Sequence, residues 1–309
     1  MQYTELATNV ADIVENTFTD AQMALFVRQA EQTIYNTVQI SSLRKNASGV
    51  TSINNQYLSA PSDLLSVYSL ALITNVTGGN INTGTYRYLL NKDANFIREA
   101  YPYPGTSGTP RHYAFFGPQS AAETQLSFLL GPTPDAVYYI ELNYYYYPES
   151  IVQAAISGIG TATGGSGYTN GTYFGVPLTG GSGSGATARI VVAGGVVDSV
   201  TIQNPGVFYA VGNTLSCAAS NIGGTGSGFS VPITGVSNAD GTTWLGGNFD
   251  SALLNGTVLE AARFMKAEAD QIALYSQLSS QALVLLKNLG DGKQRMDAYR
   301  DGQVRNPVK

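Results

Sequence analysis

Three places in the sequence hold residue types that could do chemistry. His112, the one histidine, sits in Pro110-Arg111-His112-Tyr113 on a predicted strand edge, where an imidazole would act as a general base. It has no recognisable nucleophile to activate, because no Gly-x-Ser-x-Gly elbow occurs. Cys217, the only cysteine, lies in a Ser/Ala-rich β segment and reads as a small apolar core residue. A single thiol leaves no intrachain disulfide and no multi-cysteine zinc site. The run Gly180-Gly181-Ser182-Gly183-Ser184-Gly185-Ala186-Thr187 has the glycine density of a phosphate loop. It lacks the Gly-Lys-Ser/Thr ending, and β-branched residues follow where a helix should begin. Its glycines read instead as tight turns with positive φ. HExxH, paired CxxC and acidic metal-loop patterns do not occur. No catalytic residue, cofactor or metal is therefore expected. An alternative for the middle of the chain is carbohydrate binding by exposed Tyr168, Tyr173, Tyr209 and Phe229, weighed against ordinary β-core packing.

The composition points toward assembly. Of 309 residues, 43 % are hydrophobic and only 12 % charged, against about 25 % charged in an average soluble domain. The 35 glycines and 20 tyrosines fill the gap. A surface of amides, hydroxyls and phenols suits wide protein contacts, since Tyr offers apolar area with a polar tip. A net charge of −5 and a pI near 4.9 argue against a general nucleic-acid binder. The N-terminus has no basic segment followed by an apolar run, so no signal peptide is expected. The most apolar stretch, Leu64 to Ile73, is too short to span a bilayer. A soluble protein made in a reducing compartment is expected.

Three regions follow from the changes of texture, at 1–155, 156–243 and 244–309. In the first, Leu6, Val10 and Ile13 recur at helical spacing. A second helix, capped by Thr19 or Asp20, puts Met23, Val27, Ala30, Ile34 and Val38 on one stripe, with Arg28, Gln29, Glu31 and Gln32 opposite. Short β-like runs come next: Gly49 to Ser59, Leu64 to Ile73, Tyr86 to Leu90, His112 to Phe116, Leu126 to Leu130 and Val137 to Tyr147. A short helix interrupts them near Asp93 to Tyr101. On the last strand, Tyr138, Ile140, Leu142, Tyr144 and Tyr146 share the face read as core. Tyr139, Glu141, Asn143, Tyr145 and Tyr147 share the other, and Tyr139, Tyr145 and Tyr147 are candidate subunit or tail contacts.

Region 156–243 contains three charged residues, Arg189, Asp198 and Asp240, and repeats internally. Gly167-Tyr168-Thr169-Asn170-Gly171-Thr172 resembles Phe208-Tyr209-Ala210-Val211-Gly212-Asn213-Thr214. Gly181 to Ala186 likewise resembles Gly224 to Phe229. A Gly194-Gly195 connection between β-branched runs predicts a hairpin, and the region reads as a small all-β domain. Region 244–309 returns to helix, with a break at Lys266 to Asp270 giving an antiparallel pair. Gly290-Asp291-Gly292 is expected to stop the second helix, leaving Lys293 to Lys309 as an extended tail. Amphipathic helices at both ends each need a partner. The expected fold is therefore α+β: a bundle of N- and C-terminal helices with a small antiparallel sheet, and the all-β domain as an insertion.

The host segments resemble a known family. Phe26 to Asn36 followed by Leu43-Arg44-Lys45-Asn46 is similar to the start of bacteriophage head-to-tail adaptor (connector) proteins. So are Tyr57 to Leu65, Leu89 to Pro102, Gly108 to Ala114, Leu130 to Pro134, Tyr146 to Ser150, and the closing helices with Gly290-Asp291-Gly292-Lys293. The middle region departs from that pattern and looks like Gly/Tyr-rich modules inserted in virion proteins of cyanophages. The resemblance implies a non-enzymatic virion protein at the head–tail junction, made in the host cytoplasm. It implies a dodecameric ring that joins the portal protein to a tail or nozzle protein, with DNA passing through the lumen unbound and no membrane contact. It further implies that the C-terminal segment docks on the portal, which makes Lys293, Arg295, Tyr299, Arg300, Val304, Arg305 and Pro307 candidate portal contacts. The competing expectation is another tail or fibre-attachment subunit whose β-insertion binds glycan or neighbouring tail proteins.

Overall fold

Leu6 and Val10 lie on one side of α1 (Tyr3–Ile13), sealed from solvent. The computed structural model describes residues 1–118 and 126–301, with side chains described as far as Gly290. The chain divides into two compact units, Met1–Val38 together with Glu149–Lys309, and Gln39–Pro148. In the first unit, α2 (Asp20–Thr37) starts at Thr19. The Thr19 hydroxyl accepts from the Gln22 N–H at 3.3 Å, and the Gln22 side chain accepts from the Thr19 N–H at 3.0 Å. Two donors of the first turn are satisfied in this way. The stripe Met23, Val27, Ala30, Ile34 and Val38 is buried as the spacing predicts.

The second unit is built from β1 (Arg44–Val50), β2 (Tyr57–Ser59), β3 (Leu64–Thr74), β4 (Thr85–Tyr88), β5 (Leu90–Asn91), α3 (Ala94–Ala100), β6 (Ser107–Gly108), β7 (His112–Phe116), β8 (Ser127–Gly131), β9 (Thr133–Pro134) and β10 (Tyr139–Tyr146). One sheet runs β1-β10-β3-β4, antiparallel throughout. Another runs β2-β8-β7-β5, with β5 and β7 parallel. Period-two alternation places Leu70, Leu72, Ile140, Leu142 and Tyr144 in one core with Ala60, Tyr113, Phe128 and Leu130. Asp93 caps α3 by accepting from Asn95 N–H at 2.7 Å, and Ile97 packs with Ala114 and Leu129. The expected run Gly49 to Ser59 is two strands, parted by a turn in which Asn54 takes a left-handed conformation that Asn tolerates (φ 59°).

The glycine-rich segment forms β11 (Ala155–Ile159), β12 (Thr163–Ser166), β13 (Gly171–Pro177), β14 (Ser184–Ala193), β15 (Val196–Val207), β16 (Thr214–Leu215) and β17 (Ser227–Ser237). Gly194 and Gly195, at φ 60° and 78°, turn the β14–β15 hairpin as predicted. The repeat is built by exchange. The opening strands of the first copy, β11 and β12, pair with β17, which closes the second copy. The opening strand of the second copy, β15, pairs with β14, which closes the first. Both halves share one core that includes Ala188, Ile190, Val231, Ile233 and Cys217. Ala155 pairs with Ser237, so the segment begins and ends on adjacent strands.

The C-terminal region forms α4 (Trp244–Asn248), α5 (Asp250–Met265) and α6 (Ala269–Asp301). Lys266, left-handed at φ 55°, ends α5 within the break that the pattern predicts. Helix α5 packs on α1, α2 and α6, and Gly256 lets α2 approach so closely that an added Cβ would stand 3.2 Å from that of Ala30. Helix α6 does not stop at Gly290-Asp291-Gly292; it runs on to Asp301. An interior glycine costs a helix only about 1 kcal/mol relative to alanine, so Gly290 and Gly292 weaken the helix without the outright break that proline causes.

The division into units also departs from the shifts in composition. Residues 156–243 group with the helices, because β14 and β15 pack on α2. Asp20 hydrogen-bonds the Ser184 hydroxyl, and Arg28 Nη1 donates to Asn204 Oδ1 at 3.2 Å. The reading of α2 is corrected at Glu31 too: placed opposite the apolar stripe, it is only 3 % exposed.

Candidate assembly surfaces

The tyrosine strand β10 sits second in its sheet, and its two faces part as the alternation predicts for most residues. Ile140, Leu142 and Tyr144 are buried; Tyr139 is half-buried and Tyr147 exposed. Tyr145 is the exception. Register shifts at Asn143/Tyr144 and Tyr145/Tyr146 disturb the alternation, and Tyr145 is 6 % exposed. The Arg44 guanidinium lies 3.8 Å over the Tyr68 ring and 5.2 Å from the Tyr145 ring. Its Nε and Nη2 donate to the Tyr145 hydroxyl at 3.2 and 3.0 Å. Tyr145 is therefore held within its own chain, which corrects its placement on a half-exposed face.

Beside this sandwich, Asp63 accepts from Lys45 at 2.7 Å and from the Tyr144 hydroxyl at 2.9 Å. Burial alone would raise the Asp63 carboxyl; the Lys45 and Tyr144 hydrogen bonds outweigh it and hold the group below its ordinary range. Burial, reinforced by Asp63, pushes the Tyr144 phenol up to about 12. Lys45 also lies 4.0 Å over the Tyr146 ring. The face holding Tyr139 and Glu141 is polar, with the Tyr86 hydroxyl donating to Glu141 at 3.1 Å. Tyr68, Tyr88 and Tyr103 are more exposed than any candidate read from β10. Tyr86-Arg87-Tyr88, an aromatic alternation on the edge strand β4, was the available signal for that surface.

Glu31 is the buried ionisable group that spacing missed. Its Oε1 accepts from the Ile151 N–H at 2.8 Å, and the Ser150 side chain also bonds it. Burial raises its carboxyl from 4.5 to about 7, against the opposing pull of Ser150, Ile151 and Arg28. The arrangement clamps the segment just after Pro148 onto α2.

The remaining candidates fall in different places. His112 stands between Tyr101, whose hydroxyl is 3.3 Å from Nδ1, and the edge of Phe96. Burial, then Lys92 and Arg111, lowers its pKa. Of the rings weighed for sugar stacking against ordinary β-core packing, Tyr168, Tyr209 and Phe229 are buried in the β-core and Tyr173 packs against it. Lys293, Arg295, Tyr299 and Arg300 fall on the last turns of α6, where the chain was expected to be extended. Val304, Arg305 and Pro307 lie outside the described residues. Among the described residues, no three His, Cys, Asp or Glu side chains gather as a metal site, and no helix is long and apolar enough to cross a membrane.

Comparison with known proteins bears on these surfaces. The family model described as SU10 adaptor protein matches residues 1–161. No curated protein matches the chain. The matched stretch takes in α1, α2, all of Gln39–Pro148 and the first module strand, more than half of the 309 residues. The chain belongs to the SU10 adaptor protein family, the structural adaptors of bacteriophages.

Proposed function

We propose that this protein is the head-to-tail adaptor of its virion, assembled as a dodecameric ring that joins the portal to the tail. The family match over residues 1–161 carries the reading. The chemistry of the chain agrees with it. Tyr68, Tyr88 and Tyr103 present large, polar-tipped rings to solvent, and such rings bury without stranding charge. In a head-to-tail ring each subunit buries two different surfaces, so a charge-poor exterior lowers the desolvation cost of both.

The C-terminal end of α6 and the residues beyond it dock on the portal, with Lys293, Arg295, Arg300, Arg305 and Lys309 supplying the basic contacts. Tyr139 and Tyr147 belong to the face that meets a neighbouring subunit or tail component. The glycine-rich module is an insertion; pairing of Ala155 with Ser237 lets it enter and leave the host at one point. DNA crosses the lumen unbound.

Electron microscopy of the purified protein mixed with its portal tests this. A ring seated beneath the portal is expected, and truncation after residue 292 should abolish seating. A protein that stays single and ignores the portal overturns the assignment.

A further inference from the structure

We propose that the exposed leucine stripe of α6 seats in the α1–α2 groove of a second copy of this chain. The proposal rests on the ring reading above and supplies one of its contacts.

Leu274, Leu278, Leu285 and Leu289 are between 37 % and 59 % exposed. At the helical pitch they fall within an arc of about 60° and span about 22 Å. Ser279, Ala282 and Leu286 make a separate buried face on the same helix. Helix α6 thus carries two apolar faces, and one is uncovered among the described residues. A row of exposed leucines at this spacing fits a groove between helices on a partner.

The first unit also leaves such a groove open. Ala7, Thr8 and Ala11 of α1, Phe18 of the connecting turn and Met23 of α2 line a cavity of 430 Å³. The small side chains at Ala7 and Ala11 leave room beside the helix for a larger residue. Helix α1 is about 16 Å long, enough to run beside three of the four leucines.

Charge favours the pairing of stripe with groove. Asp12 and Asp20 line the groove, Glu5 and Glu15 are exposed on the same acidic segment, and no basic residue occurs before Arg28. From Lys287 to the C-terminus, six basic residues stand against three acidic ones. The end of α6 is therefore drawn toward the acidic helix of a neighbour, and stripe and groove are different surfaces, as a head-to-tail contact requires.

Two full-length variants, Thr8→Cys and Leu285→Cys, test the contact by oxidation, since native Cys217 is buried. Distinguished by a mass tag, they should cross-link to each other in the mixture and not within either sample alone. Cross-linking of Leu285→Cys to itself would mean that stripes pair with stripes, and would overturn the proposal. No cross-link in samples that still form rings also overturns it, while leaving the ring reading intact. No cross-link and no rings overturns both. Independently, Leu278→Gln with Leu285→Gln should raise the concentration for half-assembly by roughly tenfold or more, with thermal unfolding of the subunit unchanged. Unaltered assembly would count against the stripe.

Discussion

Gly226 lies flat against the ring of Tyr168, and a Cβ built on the glycine would stand 2.5 Å from the ring's Cδ1. The same relation recurs between Gly183 and Tyr209, where the added carbon would stand 2.5 Å from Cγ. In each pair the tyrosine comes from one copy of the repeat and the glycine from the other. The phenols behave alike: Tyr168 accepts from the Phe229 N–H at 3.1 Å, and Tyr209 from the Ala186 N–H. Gly165 and Gly206, at φ 66° and 61°, complete the correspondence. A side chain there would strike Ser227 and Ser184 carbonyls respectively. Each copy hooks the other, so neither core exists without its twin.

This interlock makes substitution costs pairwise. Gly226→Ala and Gly183→Ala should each destabilise by about 1–3 kcal/mol through overpacking. Tyr168→Ala should cost about 3–5 kcal/mol, as other large aromatic truncations do. In the Tyr168→Ala background, Gly226→Ala should cost less, because the ring it strikes is gone, whereas Gly183→Ala should add in full. A urea-unfolding double-mutant cycle reads both terms. Zero coupling between Tyr168 and Gly226 would contradict the exchange.

The buried Glu31 gives the fold a pH dependence with a defined direction. Below pH 4.5 the carboxyl is protonated whether folded or not, and contributes nothing. From there to about pH 7 the unfolded chain loses the proton while the folded one keeps it, so stability falls as pH rises. Above about 7 the loss is complete and amounts to something on the order of 3 kcal/mol. Glu31→Gln keeps the acceptor for Ile151 and has no proton to lose. Its stability relative to the parent should therefore grow from pH 4.5 to pH 8. The lowered pKa of His112 acts in the opposite direction but is common to both proteins and cancels. A constant difference across that range in denaturant titrations would rule the effect out.

Much of the fold was legible because it depends on local periodicity. Thr19 and the stripe from Met23 to Val38 fixed α2; Gly194-Gly195 fixed a hairpin; Leu64 to Ile73 fixed the inner strand β3. What stayed hidden depended on what lands on a second side. Glu31 read as polar surface, because nothing local reveals that Ser150 and Ile151, the latter 120 residues on, bond it from outside the helix. Tyr145 read as exposed, because strict alternation takes no account of register shifts or of an arginine 101 residues away. The repeat itself was visible in the sequence, but its exchange was not, since similarity between copies carries no information on which strand pairs with which. Among the candidate contacts, Tyr139 and Tyr147 had the right exposure from alternation alone. Tyr88 and Tyr103 outdo them through their place at an edge and in a loop.

The Arg44 sandwich should tolerate no cation but its own. Lysine at that position would keep the charge but lose both hydrogen bonds to the Tyr145 hydroxyl and the flat stacking on Tyr68. Arg44→Lys is expected to cost about 1–2 kcal/mol, within the range of a partly desolvated cation–π contact with its hydrogen bonds. Hydrogen exchange of the β1 and β10 amides is the informative readout, because the effect should concentrate where these strands pair. Equal exchange in Arg44→Lys and the parent would show the sandwich to be energetically idle.

Continuation of α6 through Gly292 has a consequence opposite to that of a helix stop. If the glycine closed the helix in a left-handed conformation, alanine would strain it and destabilise the end. Inside a helix, alanine is the better residue by about 1 kcal/mol. Gly292→Ala should therefore slow amide exchange over residues 293–301 by roughly fivefold, and Gly292→Pro should abolish protection around that point. The two variants bracket the question: the alanine tests whether helix is favoured at 292, and the proline whether helix beyond it depends on continuity. Faster exchange in Gly292→Ala would place the end of α6 at Gly290, and the basic residues beyond it would then approach any partner as extended chain.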